Sequence, residues 1–224
     1  MNKKEILKLL YQSNNYSKLK KLCKSKKDIW YKHILAKVYF FEKDYESSFE
    51  IYKSINMLYE AGYCKLLLGD INSTKKYWMQ LEDESPIINW GKSLLGLIEK
   101  NVKFLPTYFQ IRNFLEQDLD TLLDANLIDY AENLVNSADI LAQVNSETYK
   151  YIARVLLNHG YIDIAKNFLE QSKEIYYRDP ETHFLIAKIN LQKKLDIEAK
   201  VSLKTTLEIN PEYFPAKKLL EQIK

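Results

Sequence analysis

The apolar positions of this chain recur at three- and four-residue spacing over long stretches. In "SETYKYIARVLLNHG", Tyr149, Ile152, Ala153 and Leu156 fall at i, i+3, i+4 and i+7, one face of a helix. "YIDIAKNFLEQSKEIYYRD" repeats the pattern with Ile164, Phe168, Leu169 and Ile175. Ser146 is the expected N-cap of the first helix and Gly160 its stop. Asp179-Pro180 then caps and opens a third helix, with proline at its first position. Upstream, "SPIINWGKSLLGLIEKN" (85–101) predicts one helix. "PTYFQIRNFLEQDLDTLLDA" (106–125) predicts a longer one, about 30 Å at 1.5 Å per residue. Gly and Pro number only five each, too few for the turns of an all-β protein. The expected fold class is all-α.

The same pattern repeats at a longer interval. Ala131, Ala165 and Ala199 are spaced by 34 residues. At the same offset Ile152 aligns with Ile186, Ala153 with Ala187, Leu157 with Leu191 and Leu169 with Leu203. Ala138, Ser172 and Thr206 form a second column of small residues. Small side chains recur because antiparallel helices about 8–10 Å apart need them at the crossing point. A supersecondary unit of two helices, repeated, is the signature of a helical solenoid.

This repeat resembles the tetratricopeptide repeat family in its bacterial-type form. One unit matches through His183, Ile186, Ala187, Lys194, Ala199, Thr206 and Pro211. The unit before it matches through Tyr149, Ile152, Ala153, Gly160, Ala165 and Ser172, with Tyr177 where the family has proline. The resemblance implies an α-solenoid of antiparallel helical hairpins in a right-handed superhelix. "FPAKKLLEQIK" reads as its C-terminal capping helix, with Phe214, Leu219, Leu220 and Ile223 inward. The N-terminal half follows the pattern at shorter spacing, since Ala36 to Gly62 is 26 residues. Its second helices must be short. The domain reading is degenerate repeats over 1–105 and a second array with its cap over 106–224, in one continuous solenoid with a change of phase near 101–106.

Charge is unevenly distributed. Residues 1–53 hold 13 Lys/Arg against 6 Asp/Glu, whereas residues 104–147 hold one Arg against eight acids. A polarised surface follows. The chemistry that could make an enzyme is missing. Cys23 and Cys64 stand far apart without metal-ligand spacing and read as buried free thiols. His33, His159 and His183 are scattered, and no phosphate loop or nucleophile motif occurs. "DLDTLLDANLID" is rich in carboxylates but lacks the spacing and glycine of a calcium loop. We read a non-enzyme with no catalytic, cofactor or metal residues. No secretory leader or membrane span is legible, so a cytoplasmic protein is expected.

In the family, residues of the first helices line a concave groove that binds peptides or proteins. Carried over by position, these are Lys4, Lys8, Tyr11, His33, Lys37, Phe40, Tyr59 and Tyr63 in the N-terminal half. In the C-terminal half they are Glu116, Asp120, Asp124, Lys150, Arg154, Phe184 and Lys188. Glu116, Asp120 and Asp124 form an acidic stripe, expected to pair as Glu116–Lys150 and Asp120–Arg154. The lysine–asparagine clamp that some family members use on a peptide carboxylate does not fit. Arg154 and Leu185 stand where asparagines are needed. The expected function is a protein-interaction scaffold or adaptor with a protein or peptide partner, self-association being a further option. The alternatives are nucleic-acid binding through the basic N-terminal third, or an accessory module of a neighbouring enzyme. Only three arginines (Arg112, Arg154, Arg178) argue against nucleic acid.

Overall fold

The computed structural model describes residues 2–12 and 15–223, excluding the side chains of residues 9–12. Every regular element among the described residues is a helix. The first compact unit, Met1–Gly96 with Ala125–Leu127, holds α1 (Lys3–Gln12), α2 (Tyr16–Lys24), α3 (Ile29–Phe41), α4 (Tyr45–Ser54), α5 (Leu58–Leu67) and α6 (Ile71–Met79). It also holds most of α7 (Pro86–Ile98). The second, Leu97–Asp124 with Ile128–Lys224, holds α8 (Tyr108–Asp124), α9 (Ile128–Val135), α10 (Ala138–Ala142) and α11 (Thr148–Asn158). It continues with α12 (Ile162–Ile175), α13 (Pro180–Gln192), α14 (Asp196–Ile209) and α15 (Phe214–Gln222). The expected helices over 85–101 and 106–125 correspond to α7 and α8.

Consecutive helices fold back on one another as hairpins. Their turns share one device. A residue in the left-handed region follows α3 (Lys43, φ 61), α5 (Gly69, φ 78), α8 (Asn126, φ 59), α11 (Gly160, φ 82) and α13 (Lys194, φ 58). Such a residue ends a helix and lets the chain reverse at once. Only two of these are glycines, which is why few turns are legible from glycine content. Asp44 and Asp70 then cap the following helices, accepting from the backbone N–H of Ser47 at 3.1 Å and of Ser73 at 3.0 Å.

The first unit has short second helices, ten residues in α4 and nine in α6, against fourteen in α12 and α14. This accounts for the compressed spacing between Ala36 and Gly62. Its core joins Ile6, Leu19, Cys23, Ile34, Leu35 and Val38. Further along, Trp78 of α6 is completely buried. Its indole lies flat against the backbone at Gly62, where a Cβ would come within 2.5 Å of Nε1. On the α7 side a Cβ at Gly91 would lie 3.1 Å from the same ring and 2.8 Å from Tyr59. Trp78 Nε1–H donates to the Tyr59 carbonyl at 2.8 Å. Both cysteines are buried free thiols; burial pushes Cys64 up to about 11, and its Sγ lies 3.4 Å from Ser48 Oγ.

In the second unit the small-residue columns are fully used. Ala131, Ala165 and Ala199 are buried, as are Ala138, Ser172 and Thr206. Three details differ from the sequence reading. Ser146 is not the cap of α11; Asn145 Oδ1 accepts from the Glu147 N–H at 2.9 Å instead, because Asn145 is buried where its amide also reaches the Tyr108 carbonyl. Phe214 is 71% exposed rather than inward, since Ala216 takes the buried position and Leu219, Leu220 and Ile223 pack around it. And the second helix after α8 is broken at Asn136-Ser137 into α9 and the five-residue α10.

Candidate functional site

In the first unit, four rings form a continuous stack along the first helices. Phe40 of α3 lies 5.9 Å from Tyr63 of α5, at 28°. Tyr63 lies 6.4 Å from Tyr59, one turn earlier on α5. Tyr59 stacks on Trp78 at 5.1 Å and 9°. Phe40, Tyr59 and Tyr63 are half-buried, so the row offers aromatic surface while Trp78 backs it from the core. Aromatic rings combine large contact area with few rotatable bonds, which suits them to recognition. Half-buried Lys37 sits one turn before Phe40 on α3. His33, a further turn back, has Nδ1 3.0 Å from Met57 Sδ and meets Tyr52 edge-on at 6.0 Å. Burial and the Lys37 charge hold its imidazole below the usual range, so His33 is neutral. Lys4 and Lys8 are exposed on α1, and the Tyr11 side chain lies outside the described residues.

The second unit gathers a different set. Lys150 of α11 is buried, and its ammonium meets Asp179 at 2.8 Å, Glu147 at 3.0 Å and Glu181 at 3.4 Å. Arg154, one turn on, binds both oxygens of Glu116 at 2.7 and 2.8 Å and reaches Glu181 at 2.7 Å. Asp120 meets His159 Nε2 at 2.9 Å. The acidic stripe is therefore met from α11, but one turn further along than the expected pairs Glu116–Lys150 and Asp120–Arg154. The reason is Lys150 itself. Its partners come from Glu147 on its own helix and from the start of α13, leaving Glu116 to Arg154. Phe184 and Lys188 lie apart from this network. They line a cleft of about 400 Å³ with Leu191, Pro215, Lys218 and Leu219, and Phe184 packs on Tyr213 at 5.3 Å.

Glu147, Asp179, Glu181 and Tyr151 were not on the expected surface. Asp179 was legible only as a cap, and it does cap α13, accepting from the Glu181 N–H at 3.1 Å. Its second oxygen serves both Lys150 and Thr182 Oγ1, each at 2.8 Å. Acids flanking the proline that opens a helix were the available signal. Burial alone would raise the Asp179 carboxyl, but Lys150 and the Thr182 and Glu181 donors outweigh it and hold it low. Glu147 behaves likewise, with Lys150 and the Tyr151 hydroxyl overcoming burial. Burial opposes the charge of Lys150, yet Asp179 and Glu147 raise its pKa. Burial and Glu147 push the Tyr151 phenol up to about 12.

These directions fix a pH window. The depressed carboxylates contribute stability above their unfolded pKa, about 4, which is lost as pH falls through their lower folded values. The raised Lys150 and Tyr151 contribute fully below about 10 and lose it as pH rises through their folded values. Melting of the second unit should therefore be flat between about pH 5 and 10 and fall on both sides. Circular dichroism melts of the full chain, with hydrogen exchange resolving α11 and α13, check this; a maximum within the window at one sharp pH would contradict it.

Among the described residues no group of three or more His, Cys, Asp or Glu could hold a metal ion, and no helix is long and apolar enough to cross a membrane. The described site is thus one of stacking surface and paired charge. Such an arrangement defines a helical-repeat protein with recognition surfaces on its helices. Its hairpins are of the tetratricopeptide repeat type, on the evidence of the buried 34-residue columns and the shared left-handed turns. No family model matches the chain, and no curated protein does. Solved structures are similar to it at low identity. The Cut9–Hcn1 hetero-tetramer of the APC/C has 13% identity and a TM-score of 0.40 over 97% of this chain, which spans 48% of that one. YrrB, described as a TPR protein with an unusual peptide-binding site, has 13% identity and a TM-score of 0.38, covering 92% of this chain and 97% of its own. The TPR2AB domain of yeast Sti1, solved as a pHSP90 complex, has 13% identity and a TM-score of 0.37, covering 99% and 95%.

Proposed function

We propose that this chain is a protein-interaction scaffold that holds a peptide or protein segment against the first helices of its first unit. The observation that carries this is the half-buried stack Phe40–Tyr63–Tyr59 beside Lys37, on adjacent first helices. A row of ring faces favours a segment with aromatic, proline or aliphatic side chains. Lys37, with the exposed Lys4 and Lys8 on the same unit, favours one that is also acidic. The second unit contributes less to capture in this reading, because Lys150, Arg154, Glu116 and Asp120 already satisfy one another.

The test is a double substitution, Lys37→Glu with Tyr63→Ala. Neither residue is fully buried, so helicity and melting should stay close to wild type while capture of partners from a lysate of the source cells falls at least roughly tenfold, the loss of a central anchor. Capture that survives with unchanged melting would place the partner surface elsewhere. The basic character of the first unit also supports a nucleic-acid reading. That reading requires binding of RNA or DNA that collapses steeply as salt rises.

A further inference from the structure

We infer that the second-helix side of the second unit, opposite in role to the proposed peptide groove, is where two copies of this chain pair. The break at Asn136-Ser137 shortens α9 to eight residues and leaves the first half of α12 uncovered. The result is an apolar cleft of about 330 Å³ between α9 and α12, lined by Leu123, Ile128, Val135, Leu156, Ile164 and Phe168. Ile128 is 42% and Ile164 48% exposed, so the cleft is open to a visitor. On the other flank of α12, α14 projects an apolar stripe. Ile197 and Val201, one turn apart, are 78% and 59% exposed. Aliphatic residues this exposed, on the same side of a domain as an open apolar cleft, are the mark of an interaction face.

Charge identifies the visitor. The cleft lies in a segment with no Lys or Arg between Asn113 and Tyr149 and eight acids. On its rim Asp129 and Glu132 are exposed and make no ion pair among the described residues. The stripe lies in the opposite kind of segment. Residues 188–204 hold five lysines (Lys188, Lys193, Lys194, Lys200, Lys204) against Asp196 and Glu198. An acidic apolar cleft and a basic apolar stripe on one chain are complementary to each other. Because they flank the same helix, α12, a twofold axis crossing near α12 would seat the stripe of each copy in the cleft of the other. Two reciprocal contacts close the assembly as a dimer and leave no open end.

The test uses the full chain in sedimentation velocity across a wide concentration range. Wild type should sediment as a dimer that dissociates on dilution. Ile164→Glu in the cleft and Val201→Glu on the stripe should each weaken association at least roughly tenfold, with melting unchanged because both side chains are exposed. An equimolar mixture of the two variants should recover a heterodimer, since one intact stripe then faces one intact cleft. A wild type that stays monomeric throughout overturns the inference. So does dimerisation that ignores both substitutions, or variants that are monomeric apart and remain so when mixed. None of these outcomes bears on capture by the first unit, so the two readings fail independently.

Discussion

Replacing Trp78 by alanine should cost about 3–5 kcal/mol of stability in the first unit, the range for emptying a fully buried aromatic site. The ring is completely buried and its N–H is satisfied by the Tyr59 carbonyl. Relaxation cannot refill the space cheaply, because its walls are backbone at Gly62 and Gly91 rather than flexible side chains. The same geometry makes a second expectation. Gly62→Ala should destabilise although alanine is the better helix former, because its Cβ would sit 2.5 Å from the indole nitrogen. Trp78→Phe should lie between, keeping most of the ring and losing the hydrogen bond. The effect should reach function, since Tyr59 and Tyr63 both stack on Trp78. Hydrogen exchange of α5 and α6 gives the readout, with urea unfolding alongside. Wild-type protection in Trp78→Ala would contradict the packing described.

Replacing Lys150 by methionine should cost about 3–5 kcal/mol in the second unit, the range for removing one partner of a buried ion pair. The methylene packing is kept; what is lost is the cation that three carboxylates share. Asp179 and Glu181 then face each other at the start of α13 with only Arg154 near. The loss should be read as the cost of orphaned carboxylates, not as the net worth of the pair. Lys150→Met combined with Asp179→Asn separates the two. Asparagine keeps the cap on α13 and removes one buried charge, so the double variant should be more stable than Lys150→Met alone. Thermal melts and exchange protection in α11 and α13 measure both. A double variant less stable than the single one would contradict the account.

The repeat was legible in the sequence where helices are long and regular. Ala131, Ala165 and Ala199 announced the second unit because crossing points tolerate little else. The first unit was legible in kind but not in length, since helices of nine and ten residues give the periodicity fewer turns to show itself. Left-handed turns at Lys43, Asn126 and Lys194 carry no glycine, so the chain reverses without an obvious signal. The acidic stripe was visible, and its pairing was displaced by one turn, because the pull of Asp179 and Glu181 on Lys150 comes from a hairpin later in the chain. Periodicity reports which face is buried; it does not report which neighbour a long side chain will choose. The aromatic row was visible as separate residues, and its stacking became clear only when α3, α5 and α6 were set side by side.

The central claim is that the aromatic row of the first unit is the surface on which a partner lies. Hydrogen exchange of the full chain, alone and with its captured partner bound, tests it most directly. The account predicts new protection in α3 and α5, around Lys37, Phe40, Tyr59 and Tyr63, with α11 and α13 unchanged. Protection confined to the second unit, or absent from α3 and α5, would contradict it.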